Sequence, residues 1–197
     1  MALRLLLIIL SAIFQAGRWR IILPGDGINP QEVGKLKRVI HAAENAVLNY
    51  IGFMNNGDCI MRVAPSSGDF AAWTGCSIWQ AAALTNGELV IQPIDVLEKR
   101  GVLQETITHE YVHMTLEAYV VPLWLNEGLA VLCSGQIKSL GTERNLTKDP
   151  MEIERLLRSR DTLELRLGYL ASALLTQETI KKLGRDSLAR IIKEEAR

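Results

Sequence analysis

Apolar residues recur at steps of three and four through Val33, Leu36, Ile40, Ala43, Val47 and Ile51, which predicts an amphipathic helix opening at Asn29-Pro30. Pro30 suits the first helical position, where a missing N–H leaves no helical bond unmade. Ahead of it, charged and apolar residues alternate from Arg18 to Leu23 and stop at Pro24-Gly25-Asp26-Gly27, a strand followed by a turn. Asn55-Asn56-Gly57-Asp58 reads as a turn, Cys59 to Ala64 as a strand, and Pro65 to about Gly75 as a loop. Ser77–Leu84 and Leu89–Gln92 flank Thr85-Asn86-Gly87-Glu88, the pattern of a hairpin with an Asn-Gly turn. Pro93 ends that pairing, and a short helix is expected over Ile94–Lys99.

The second half has helical character. Helices are predicted over Val102–Glu117, Leu123–Cys133 with Pro122 at its start, Met151–Arg158, and Thr162 to about Leu183. Asp149-Pro150 resembles a cap and first turn, Asp161 a second cap, Gly184 a stop, and Asp186 the cap of a last helix. Ser134 to Asn145 is polar and glycine-bearing, hence loop. Strands in the first half and helices in the second argue for an α+β architecture.

Composition narrows the function classes. Hydrophobic residues make up 48% of the 197, enough for one packed domain with an N-terminal segment. Lys+Arg and Asp+Glu each number 22, and no basic stripe with interleaved aromatics occurs, so nucleic acid is not an expected partner. Three cysteines, Cys59, Cys76 and Cys133, are too few and scattered for a disulfide scaffold. Cys59 and Cys76 could pair in an oxidising compartment; buried free thiols are the alternative. Leu3 to Ala16 is an apolar run broken by Arg4, Ser11 and Gln15, resembling a signal-peptide core and shorter than the roughly 20 residues of a membrane span. Phe14-Gln15-Ala16 is a poor cleavage site, which leaves an uncleaved anchor or an ordinary buried first element open. Residues 1–17 are thus expected to be a signal or anchor, with a membrane tether through 3–16, and 18–197 the domain proper. Extracytoplasmic or membrane-anchored placement follows as the expectation.

Candidate chemistry lies in Thr108-His109-Glu110-Tyr111-Val112-His113 and in Trp124-Leu125-Asn126-Glu127-Gly128-Leu129-Ala130. On a helix, His109 and His113 lie about 40° apart on one face, one turn above the other. Two neutral imidazoles so placed supply two positions of a tetrahedral zinc ion. Glu110 flanks that face and can reach a metal-activated water without binding the metal. Residues 114 to 126 separate His113 from Glu127, room for one further helical turn, a connector at Pro122 and a return. Glu127 is therefore the candidate third ligand. Core histidines and surface glutamates are the plain alternative, but an unpaired carboxylate in an apolar helix is costly and a metal removes that cost. His41, alone beside its helical stripe, reads as structural.

These two stretches resemble the gluzincin metallopeptidases, in which a His-Glu-x-x-His motif and a downstream glutamate hold zinc. Residues 124–130 are very similar to the Trp-Leu-Asn-Glu-Gly-Phe-Ala stretch of gluzincin aminopeptidases, with a shorter gap before the glutamate. The Gly-x-Met-Glu-Asn segment with which those enzymes grip a free amine is absent, and the compact spacing is closer to small peptidase-MA-like domains. The resemblance spans roughly residues 75 to 185. It implies a zincin-like fold, Zn2+ held by His109, His113 and Glu127, Glu110 as general base, and a peptide or protein substrate cleaved as by an endopeptidase. It also implies that Glu88–Gln92 is an edge strand beside the motif helix, pairing with substrate. Tyr169 resembles the tyrosine that stabilises the oxyanion, with Tyr111 and Tyr119 as competitors. A catalytically silent zinc-binding module in an envelope assembly is the alternative, marked by a fourth protein ligand such as Cys133.

Overall fold

The computed structural model describes residues 11–25, 29–143 and 145–194, which divide into two compact units. The first, residues up to 38 and 57–103, is built on a five-stranded mixed sheet. Its strands are β1 (Ser11–Ala16), β2 (Trp19–Pro24), β3 (Cys59–Val63), β4 (Ala82–Thr85) and β5 (Glu88–Ile91), in the order β1-β2-β3-β5-β4. The central pairs β2–β3 and β3–β5 are parallel, and an antiparallel strand closes each side. Helix α1 (Pro30–Ile51) connects β2 to β3. It opens as expected, with Asn29 Oδ1 accepting the Gln31 N–H at 3.0 Å.

The second half of the expected N-terminal segment is β1, registered from Ser11 opposite Pro24 to Ala16 opposite Trp19; the first ten residues lie outside the described ones. No described helix is long and apolar enough to cross a membrane. The three cysteines are free thiols, Cys59 and Cys133 buried.

Three expectations in this unit are corrected. The stretch read as loop after Pro65 contains α2 (Ser67–Thr74): Ser66 Oγ accepts the Asp69 N–H at 3.1 Å, Phe70 packs on Ala64 and Val90, and Gly75 closes it at φ 72°. The strand expected from Ser77 begins only at Ala82, because a buried side chain claims the backbone before it. Gln92, wholly inaccessible, donates from Nε2 to the carbonyls of Ile78 and Gln80 at 2.5 Å each and accepts from Ser67 Oγ. The third correction concerns Glu88–Gln92. β5 lies between β3 and β4, so both of its backbone edges are paired, and the edge strand is β4. The consecutive buried residues Leu89, Val90 and Ile91 mark a strand covered on both faces. The Asn86-Gly87 turn between β4 and β5 is as expected, with φ of 51° and 75°, both positive as a type I′ turn requires. Helix α3 (Ile94–Lys99) follows.

The second unit, residues 39–56 and from 104 on, is helical. Beyond the end of α1 it comprises α4 (Leu103–Leu116), α5 (Leu123–Ser134), a 3-10 turn at Gln136–Lys138, α6 (Pro150–Leu157), α7 (Thr162–Leu183) and α8 (Arg185–Glu194). Asp149 and Asp161 cap α6 and α7 as their sequence positions predict, Asp161 Oδ1 accepting from Leu163 and Glu164 N–H at 2.9 Å. Asp186 lies inside the first turn of α8 and is not its cap. The core runs along α5 and α7, where Val131, Leu132 and Ala173 are enclosed by Ile137, Leu140, Tyr169 and Ile180.

Where α5 crosses α7, Gly128 is the contact. A Cβ there would stand 2.5 Å from the Ser172 carbonyl oxygen and collide with Thr176 Oγ1. Backbone lies against backbone at this point, and no rotamer change can make room. The substitution Gly128→Ala is expected to lower the unfolding free energy by about 1–3 kcal/mol. An unshifted urea midpoint in that variant would show that the crossing has slack.

Candidate metal centre

The chemistry of the second unit concentrates where α4 faces α5. Ile107, Tyr111 and Val112 are fully buried on the core side of α4, which turns His109, Glu110 and His113 toward the other side, where they are partly exposed. Leu125, Leu129 and Leu132 anchor α5 in the same way and fix the direction of Glu127. The Nε2 atoms of His109 and His113 lie 3.5 and 3.6 Å from Glu127 Oε2, and the side chains are 12, 19 and 16% exposed. They are thus largely desolvated, yet reachable from outside.

Three features suit this group to a cation. Ligand atoms of the three residues all lie within 4.8 Å of one another. Donors at opposite ends of two roughly 2.0–2.1 Å bonds in a tetrahedron stand about 3.3 Å apart, close to the separations here. Glu127 Oε2 is buried and makes no hydrogen bond. A buried carboxylate oxygen left so is expensive unless a cation faces it.

The outward nitrogens of both rings are held. His109 Nδ1 lies 2.8 Å from Gln136 Oε1, and His113 Nδ1 lies 2.8 Å from Asn126 Oδ1. A carbonyl acceptor at Nδ1 places the ring proton there and leaves the Nε2 lone pair free, as a metal ligand needs. The rings meet edge to face, 4.8 Å between centroids. Burial disfavours charge on His109, but the carboxylates of Glu127 and Glu110 outweigh it and raise its pKa. Burial likewise opposes charge on Glu127, and His109 and His113 together hold its carboxyl below the usual range.

Tyr169 on α7 brings its ring to 6.2 Å from that of His109, at 74°. Burial raises its phenol pKa, and the negative charges of Glu127 and Glu110 raise it further, so it stands as an O–H donor at neutral pH. The competing tyrosines are placed otherwise: Tyr119 stacks edge-on against Phe53 at 5.3 Å, and Tyr111 is enclosed in the core. His41 lies on the exposed face of α1, 3.1 Å from Asn45 Nδ2. Cys133 is buried on α5, its thiol pKa pushed up by burial, and the ligating group among the described residues does not include it.

The sequence motifs thus bring His109, His113 and Glu127 together, with Glu110 on the same helix and Tyr169 alongside. Two residues that hold the imidazoles were not foreseen from the sequence. Asn126 lies inside the Trp-Leu-Asn-Glu-Gly stretch, and its adjacency to Glu127 was a usable signal. Gln136 lies in a segment read only as loop, and nothing in the sequence ties it to His109.

No protein-family model matches the chain, and no curated protein is significantly similar to it in sequence.

The wild-type protein is expected to bind one divalent transition-metal ion per chain, and Glu127→Ala to lose stoichiometric binding while staying folded. Affinity should weaken as pH falls and protons compete for the imidazoles. Elemental analysis of dialysed samples checks both; equal metal content in wild type and variant would remove Glu127 from the ligand set.

Proposed function

We propose that this chain is a zinc-dependent peptidase of gluzincin type, with a zincin-like domain. The observation that carries the reading is the buried, hydrogen-bond-free Oε2 of Glu127 set between two Nε2 atoms whose rings are fixed from behind. Two imidazoles and one carboxylate form a catalytic zinc donor set with a fourth position left for solvent or substrate. A silent zinc-binding module would fill that position with protein, and no fourth residue joins the ligating group among the described residues.

Bound zinc would supply Lewis acidity, acidifying water and polarising the scissile carbonyl. Glu110, one residue from His109 on the same helix, takes the proton of the attacking water. It then returns that proton to the nitrogen of the departing amine, so the peptide bond breaks without a free amide anion. The Tyr169 hydroxyl donates to the carbonyl oxygen as negative charge gathers on it. The segment that grips a free amine terminus in the related aminopeptidases has no counterpart in this sequence, which favours cleavage within a peptide or protein. The proposed extracytoplasmic or membrane-anchored location rests on the apolar sequence of residues 3–16 alone, of which 11–16 are β1 of the sheet, so a tether would have to lie ahead of Ser11.

With an internally quenched peptide library, Glu110→Gln should retain zinc and lose roughly 10²–10⁴-fold or more in kcat. Full activity in that variant would sink the general-base assignment. Tyr169→Phe should lose on the order of 10²-fold in kcat with KM little changed. A loss confined to KM would make the phenol a substrate contact instead.

A further inference from the structure

We propose that Gln136 is a positioning residue of the metal centre, fixing His109 through a neutral acceptor; this rests on the metal reading above. A carboxylate at that place would raise ligand basicity and add a second negative charge beside Glu127. The amide does neither, yet still selects the tautomer that turns Nε2 toward Glu127 and His113.

The placement of Gln136 is built by its surroundings. Helix α5 stops at Gly135, whose φ of 80° lets the chain reverse at once into the 3-10 turn. Inside the turn, the Gln136 carbonyl accepts from Ser139 Oγ at 2.8 Å and from the Leu140 N–H at 3.3 Å. Beyond it, Arg166 of α7 straps the segment down, donating from Nη1 to the Leu140 carbonyl and from Nη2 to Glu143 Oε1 at 3.1 Å. Ile137 and Leu140 anchor the turn in the α5–α7 core. Arg166 and Tyr169 are three residues apart and share a face of α7, so one helix holds both the phenol and the turn that carries Gln136.

The test reads zinc affinity of the full chain by competition with a chromophoric chelator, with no substrate present. Gln136→Met, which keeps the length and removes the acceptor, is expected to bind zinc about 10–100-fold more weakly. Gln136→Glu, which keeps an acceptor at the same reach, is expected to bind at least as tightly as wild type. In the cobalt(II)-loaded protein the visible absorption envelope should change in Gln136→Met and be retained in Gln136→Glu. Wild-type affinity in the Met variant, or equal weakening in both, would overturn the proposal and leave Gln136 a packing residue. Should Gln136→Met fail to fold, Gln136→Asn, which withdraws the carbonyl by one methylene, carries the same comparison. The expected affinity order among wild type and the two variants, with no peptide cleavage by wild type, would defeat the hydrolase reading and leave this inference standing. Wild-type protein that binds no zinc would overturn both.

Discussion

A single oxygen atom organises the helical unit. Glu127 Oε2 is shielded from water, accepts no hydrogen bond, and faces the Nε2 atoms of His109 and His113 at 3.5 and 3.6 Å. Burying a carboxylate in this way costs several kcal/mol unless a positive charge compensates it. That charge comes either from a proton on His109, whose pKa the Glu127 carboxylate raises against the effect of burial, or from a metal ion. The ionised glutamate and two converging imidazoles are unfavourable alone and favourable around a cation.

Keeping those three donors together makes demands on the packing. Glu127 is followed by Gly128, and the missing side chain lets α5 sit against the backbone of α7 at Ser172. The same contact brings α7 close enough for Tyr169 to meet the His109 ring. A residue with no functional group therefore lies at the contact that sets the distance between a candidate metal ligand and the proposed oxyanion donor. Asn126 and Gln136 then fix the two imidazoles from opposite ends of α5, one before the glutamate and one past the helix terminus. Without such partners each ring could rotate, and the Nε2 atoms would not stay aimed at one point.

The sheet unit illustrates the same rule with an amide in place of a carboxylate. Gln92 is wholly inaccessible, yet its side-chain oxygen and nitrogen both have partners, in Ser67 Oγ and in the carbonyls of Ile78 and Gln80. A buried amide is tolerable only when its donors and acceptor are used. Here that requirement shapes a loop and shortens β4 at its start.

The sequence by itself determined whatever depends on neighbours along one chain. The step of three and four from Val33 to Ile51, the Asn86-Gly87 turn, the caps Asp149 and Asp161, and the common face of His109 and His113 all follow from local geometry. Pairing Glu127 with those histidines was legible too, because the gap of residues 114 to 126 allows only a short return. Tertiary structure decided what depends on partners far apart in sequence. Strand β5 is interior because β3 and β4 both pair with it, a matter of sheet order that alternation along one strand cannot encode. Helix α2 forms where turn-rich residues suggested a loop, because the burial of Phe70 against Ala64 and Val90 rewards a short helix capped at both ends. Gln136 meets His109 across 27 residues only because Gly135 reverses the chain and Arg166 holds the turn that follows. Local propensity fixes which side chains share a face, and long-range packing fixes which faces meet.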